Sequence, residues 1–207
     1  IFGIGGCMAL ILVGYGLKDS IFSISVIQYG EIQKYNLQSL LNEDASDEEK
    51  KALETYKETQ SEIKDSLQIY MKNIKVGKGS TEKDVYMYVP SDTKEFDKFV
   101  TLKDRKTDEE YKLTETGAVL TEKMAKTLDV KKGDKVYIKD EDGRKKEVTV
   151  TAICENYMGH YIYLTKGMYE KMYGESPSFN SELYKLKNAA EKTTLQIGED
   201  MLETKAV

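Results

Sequence analysis

The pattern of apolar and polar positions changes character at Lys18. Residues 1–17, IFGIGGCMALILVGYGL, carry no charge, and from Lys18 onward the chain is polar and heavily charged. A helix of that length spans about 25 Å, a little less than the roughly 30 Å bilayer core. The run therefore predicts the outer part of a transmembrane helix, with its first part expected to precede Ile1. Gly3, Gly5, Gly6, Gly14 and Gly16 would weaken a helix in water but are common in membrane helices, and Gly5 and Ala9 have the small-xxx-small spacing of close helix packing. A trimmed signal-peptide core and a buried helix are the competing readings. Gly16-Leu17-Lys18-Asp19 is a poor cleavage site, however, and residues 21–27 are apolar again.

Beyond Lys18 the pattern divides into short elements. Residues 28–41 contain no glycine or proline after Glu31, and Gln33, Tyr35 and Leu37 share a face, which predicts a strand. After a turn at residues 42–45, Ser46 and Glu49 form a capping box with acids in the first helical turn. Leu53, Tyr56, Gln60, Ile63, Leu67, Tyr70 and Ile74 then predict one long helix with a single stripe. Such a stripe packs on a sheet or, as the alternative, on a coiled-coil partner. Residues 77–80 break the pattern, and residues 84–89 form a strand stopped by Pro90, giving the order β-α-β. Phe96, Phe99, Val100 and Leu102 require burial, whereas residues 103–110 read as a solvated loop.

The second half is more regular. Residues 117–120 lead into Thr121, a plausible N-cap, and Leu120, Met124, Ala125 and Leu128 form one helix face. Gly133-Asp134 turns into a hairpin of residues 136–139 and 145–156, closed at residues 140–143. In this hairpin Val148, Val150, Ala152 and Cys154 alternate onto one face. A strand at residues 161–164 follows, then a helix capped by Thr165, carrying Met168, Tyr169, Met172 and Tyr173, and ended by Gly174. Residues 179–186 are extended, residues 188 to about 204 are helical, and Ala206-Val207 is expected to begin a further strand.

Charge and composition narrow the function. The 31 Lys and Arg against 36 Asp and Glu give a net charge of −5, with acids interleaving the lysines, so no nucleic-acid face is present. Cys7 lies in the apolar run and Cys154 in a strand, so the two should sit at different depths rather than pair. Cys154 reads as a small buried side chain, with a reactive thiol as the alternative. The single His160 rules out a multi-histidine metal site. No G-x-S-x-G elbow occurs, and GKGST at residues 77–81 lacks the order a phosphate loop needs. Catalytic, cofactor and metal residues are accordingly none. The segment at residues 155–163, ENYMGHYIY, is the one unusual stretch. It is either a tyrosine-rich turn or a contact surface in which Tyr157, His160 and Tyr161 meet a cargo or partner with rigid, amphipathic rings.

These residues resemble a known family. GIGGCMALILVGYGLKDSI is similar to the end of the first membrane helix of FtsX/MacB-like ABC transporter permeases of Gram-positive type. Residues 120–174 resemble that family's extracellular core domain, with its short helix (residues 120–128), its Gly-Asp turn (residues 132–134), its hairpin and its ENY–HYIY strand (residues 155–163). The resemblance is close at both ends of the chain and weak over residues 42–112. It implies an α+β fold in which a split β-α-β, porter-like unit carries an inserted, mostly β subdomain. Residues 1–17 would be the partial membrane helix, 18–91 the first half of the unit, 92–176 the insertion and 177–207 the second half. It also implies a non-catalytic domain on the extracellular side of the cell membrane, partnered by an ATP-binding subunit through the membrane part and by a second permease. The cargo would be a lipid, peptide, lipoprotein or other protein. A membrane-anchored sensor or adhesion ectodomain is the competing class.

Overall fold

The computed structural model describes residues 13, 17–139 and 143–207. Most of the apolar run, including Cys7, and the hairpin tip at residues 140–142 lie outside the described residues. Among the described residues no helix is long and apolar enough to cross a membrane. Residues 17–26 form helix α1, every residue of which is exposed, and it passes directly into a π-helical segment, Ile27–Ile32. The strand expected over residues 28–41 is therefore confined to β1, Leu37–Leu40.

The fold is mixed α+β. After β1 come α2 (Asp47–Thr59), β2 (Ile63–Lys78), β3 (Thr81–Pro90), α3 (Thr93–Phe99), β4 (Ala118–Thr121) and α4 (Glu122–Leu128). Then follow β5 (Lys135–Lys139), β6 (Lys145–Cys154), β7 (Tyr161–Tyr163), α5 (Lys166–Tyr173), β8 (Ser181–Leu186) and α6 (Glu191–Glu203). The strands join in one sheet in the order β1-β8-β2-β3-β7-β4-β6-β5, and β5 pairs again with β2. The pairings from β2 round to β5 thus run full circle and close a barrel. Beside it, β1 and β2 flank β8, and each runs antiparallel to it.

The long helix expected through Ile74 ends at Thr59, and the residues from Ile63 onward are strand β2. The reason lies in what covers the strand. Leu67 and Ile69 face a core shared with Phe96, Phe99 and Leu183, whereas Ile74 and Val76 face the barrel interior on the opposite side. A strand that changes its buried face midway loses its period of two, and its apolar positions then fall at helix-like intervals. The capping box is present as expected, with the Ser46 side chain accepting from the Glu49 N–H and Glu49 accepting from the Ser46 N–H. Gly79 at φ 61° makes the two-residue turn between β2 and β3.

All of the barrel strands contribute to one core. Ile74, Val85, Met87, Leu120, Val136, Ile138, Val148, Val150 and Ile162 meet there, and Met124 and Leu128 of α4 and Met168 of α5 close it. Val148, Val150, Ala152 and Cys154 are all buried, but not on one face. The β4–β6 register shifts between Ala118 and Val119, so Thr151 is an extra residue in β6. This β-bulge sends Ala152 and Cys154 to the outer core with Phe96 and Tyr163. A third core, formed by Leu53, Tyr184, Leu186, Ile197 and Met201, seats α2 and α6 against β8. Ala206-Val207 forms no strand, although the Ala206 carbonyl accepts from the Asn42 N–H at 2.9 Å.

Candidate functional site

The ENYMGHYIY segment leaves β6 at Cys154 and enters β7 at Tyr161, and it meets the π-helical segment. Gln28, fully buried in that segment, makes the contact. Its Nε2 donates to Asn156 Oδ1 at 3.0 Å, and its Oε1 accepts from the backbone N–H groups of Tyr157 at 2.9 Å and Met158 at 3.3 Å. Asn156, also buried, spends its own Nδ2 on the carbonyls of Met158 (2.7 Å) and Gly159 (3.1 Å). Gly159 stands at φ 75°, which a side chain would strain, and this lets the loop fold back over Asn156. Two interlocked side-chain amides thus join the base of α1 to the loop between β6 and β7.

Charge surrounds this joint. Lys103 Nζ lies 2.8 Å from Glu31 of the π segment, 3.1 Å from Asp108 and 3.9 Å from Glu155 of the loop. The bonds to Glu31 and Asp108 hold the Lys103 ammonium well above the ordinary lysine range. Below it the chain is bound to the end of α3 by backbone bonds from Thr101 N–H to the Ile32 carbonyl (2.9 Å) and from Lys34 N–H to the Phe99 carbonyl (2.7 Å).

The sequence-predicted contact residues sit around this joint. The Tyr157 hydroxyl donates to Glu155 Oε1 at 2.5 Å, and this bond, with partial burial, raises its pKa. The His160 carbonyl accepts from the Tyr86 N–H, while its Nδ1 is buried without a partner. Tyr161 donates its N–H to Thr121 Oγ1, and its ring lies 5.1 Å edge-on from Tyr88 and 5.8 Å stacked from Tyr163. Thr121 therefore begins α4 without capping it through its side chain. All three residues are half-buried, and the exposed side chain of the loop is Met158. Sequence reasoning missed Gln28, whose one signal is an uncharged polar residue directly after an apolar stretch.

Cys154 is fully buried and burial pushes its thiol up to about 12, which keeps it protonated at neutral pH. Among the described residues no group of three or more His, Cys, Asp or Glu is placed to hold a metal ion. A cleft of about 580 Å³ opens beside β2, with Tyr70 and Tyr169 among its walls and Lys75, Lys139, Asp84 and Glu175 mixing both signs of charge on its rim.

No family model and no curated protein matches the chain. Among solved structures it is similar to the periplasmic region of MacB from Actinobacillus actinomycetemcomitans, at 14% identity over 82% of this chain and 78% of that one, with a TM-score of 0.45. It is also similar to the extracellular domain of the ABC-type transporter YknZ from Gram-positive bacteria, at 12% identity over 83% of this chain and 90% of that one, TM-score 0.46. A permease-protein domain from Porphyromonas gingivalis is similar at 8% identity over 74% of this chain and 75% of that one, TM-score 0.39. Each is a partial likeness of fold.

Proposed function

We propose that the chain is a non-catalytic extracytoplasmic domain of an ABC transporter permease subunit, held at the membrane by residues 1–17. The observation that carries this reading is α1. Leu17, Ile21, Phe22, Ile24 and Val26 are exposed around its circumference, and the helix runs without a break into a hydrogen-bonded seat on the β6–β7 loop. Bare apolar surface of that kind is unfavourable in water and suits a helix that rises from a bilayer or among other helices. The residue resemblance noted above supplies the family. On this reading residues 18–91 and 177–207 form a split β-α-β, porter-like unit around the insertion 92–176, a reading supported by the placing of β1 and β2 on either side of β8.

The domain would move when an ATP-binding subunit, acting through the membrane part of a permease dimer, cycles through hydrolysis. The outward side of the β6–β7 loop, with Tyr157, His160 and Tyr161 flanking exposed Met158, is the proposed meeting place for a peptide, lipid or protein cargo. The test uses the full-length membrane protein in its own cells. A cysteine replacing Asp19 should react with a membrane-impermeant thiol reagent on intact cells, and affinity purification should bring down an ATP-binding protein. Labelling only after lysis, or purification with a kinase module in place of an ATPase, would overturn the reading.

A further inference from the structure

We infer that the π-helical segment Ile27–Ile32 is a two-position joint: Gln28 seated on the β6–β7 loop holds α1 in one orientation, and withdrawal of Gln28 releases it. This rests on the proposed function only for the source of the pull on α1. The seat itself stands on the geometry.

Three observations converge. The first is the segment's conformation. π-Helices make up well under 1% of residues and mark functional positions within α-helices. Here the Gln33 N–H reaches back to the Gln28 carbonyl at 2.8 Å, one residue further than an α-helix would reach. A return to α geometry turns each residue further about the axis and carries Gln28 away from Asn156.

The second is the chemistry of the seat. Hydrophobic contact is non-directional and would tolerate rotation of α1, whereas an amide making bonds on both of its ends fits at one angle only. Gln28 is that amide, and Asn156 is held in turn by two loop carbonyls. These bonds exchange for water bonds at modest net cost once the seat opens, which makes the contact reversible. The third is the lever. Residues 17–26 are exposed, and Gln28, Ile32 and Lys34 bind the chain that follows to the rest of the domain, so a turn of α1 reaches the domain through residues 27–34. Lys103, bridging Glu31 and Glu155, spans the same two parts and would hold them near each other while Gln28 is out.

Two measurements on the complete chain in lipid nanodiscs test this. In the unaltered protein, the Tyr157 and Met158 N–H groups, both bonded to Gln28 Oε1, should exchange with solvent together by local opening. That exchange should run at least about 100-fold faster than at the Val150 N–H, which is bonded to the Asp134 carbonyl. Exchange of both only at the rate of Val150 would overturn the proposal. The second measurement is the distance between spin labels at cysteines replacing Ser23 and Lys83, with Cys7→Ser removing the competing thiol. The parent should give one dominant distance, and Gln28→Leu and Asn156→Ala should add a second population. An unchanged distribution in folded variants would overturn it. Should both variants fail to fold, the exchange result on the parent decides. Because neither measurement involves the ATP-binding subunit, a purification that brings down no ATP-binding protein would refute the transporter reading and leave the joint standing.

Discussion

Gly117 lies directly against the Thr149 carbonyl oxygen, with Thr151 Cγ2 also crowding the position a Cβ would take, so a side chain there has nowhere to go. The contact follows from the bulge. The extra residue Thr151 bends β6 toward the start of β4, and its hydroxyl donates to the Ala118 carbonyl at 3.0 Å.

Replacing Gly117 with Ala should therefore destabilise the barrel by about 1–3 kcal/mol, the cost of overpacking against backbone that cannot move aside. Urea unfolding of the Gly117→Ala variant measures it. An unchanged midpoint would show that β4 and β6 are further apart than this geometry has them.

Lys57 reaches under α2 to Glu182 at 2.6 Å, and Glu182, only 4% exposed, also accepts from the Tyr184 hydroxyl at 3.0 Å. Burial by itself would lower the lysine's pKa, but its bonds to Glu182 and Glu54 raise it. Lys57→Met leaves a buried carboxylate unpaired and should cost roughly 3 kcal/mol, whereas Lys57→Met with Glu182→Leu should recover most of the loss. Chemical denaturation of the single and double variants separates the two cases. A single variant as stable as the parent would mean that Glu182 is not held by this pair.

The rings of Tyr86, Tyr88, Tyr161 and Tyr163 form a connected cluster around β3 and β7. Tyr161→Ala should lower the melting temperature clearly, because it removes ring contacts as well as buried area. His160→Ala should leave it nearly unchanged, since it deletes a buried Nδ1 that makes no hydrogen bond. If transport falls in His160→Ala at normal protein level, the loop has a contact role. Loss that tracks protein level alone would make it structural.

Glu49 closes the capping box of α2, and its bonds from the Ser46 backbone and hydroxyl lower its pKa. A carboxylate lowered on folding contributes stability that is fully present above its unfolded value, near 4.3, and is lost as pH falls through the lower folded value. The melting temperature should therefore drop between about pH 5 and pH 3. In Glu49→Gln that drop should be shallower, and thermal scans across the range would show it. Identical slopes would mean that Glu49 titrates alike in the folded and unfolded chain.

Local chemistry made much of this fold legible from residue order. The Ser46–Glu49 box and the Thr165 and Gly174 caps of α5 are contacts between near neighbours, and they form as the spacing predicts. The hairpin of β5 and β6 and the burial of Phe96, Phe99, Val100 and Leu102 followed in the same way. What tertiary structure alone decided are the features that depend on partners far along the chain. β2 reads as helix until it is known that Leu67 and Val76 face different cores. The bulge at Thr151 is invisible until β4 lies beside β6. Gln28 finds its acceptor and donors some 130 positions away, at Asn156, Tyr157 and Met158. Spacing in sequence reports which face a residue shares with its neighbours. Only the closed sheet determines what that face meets.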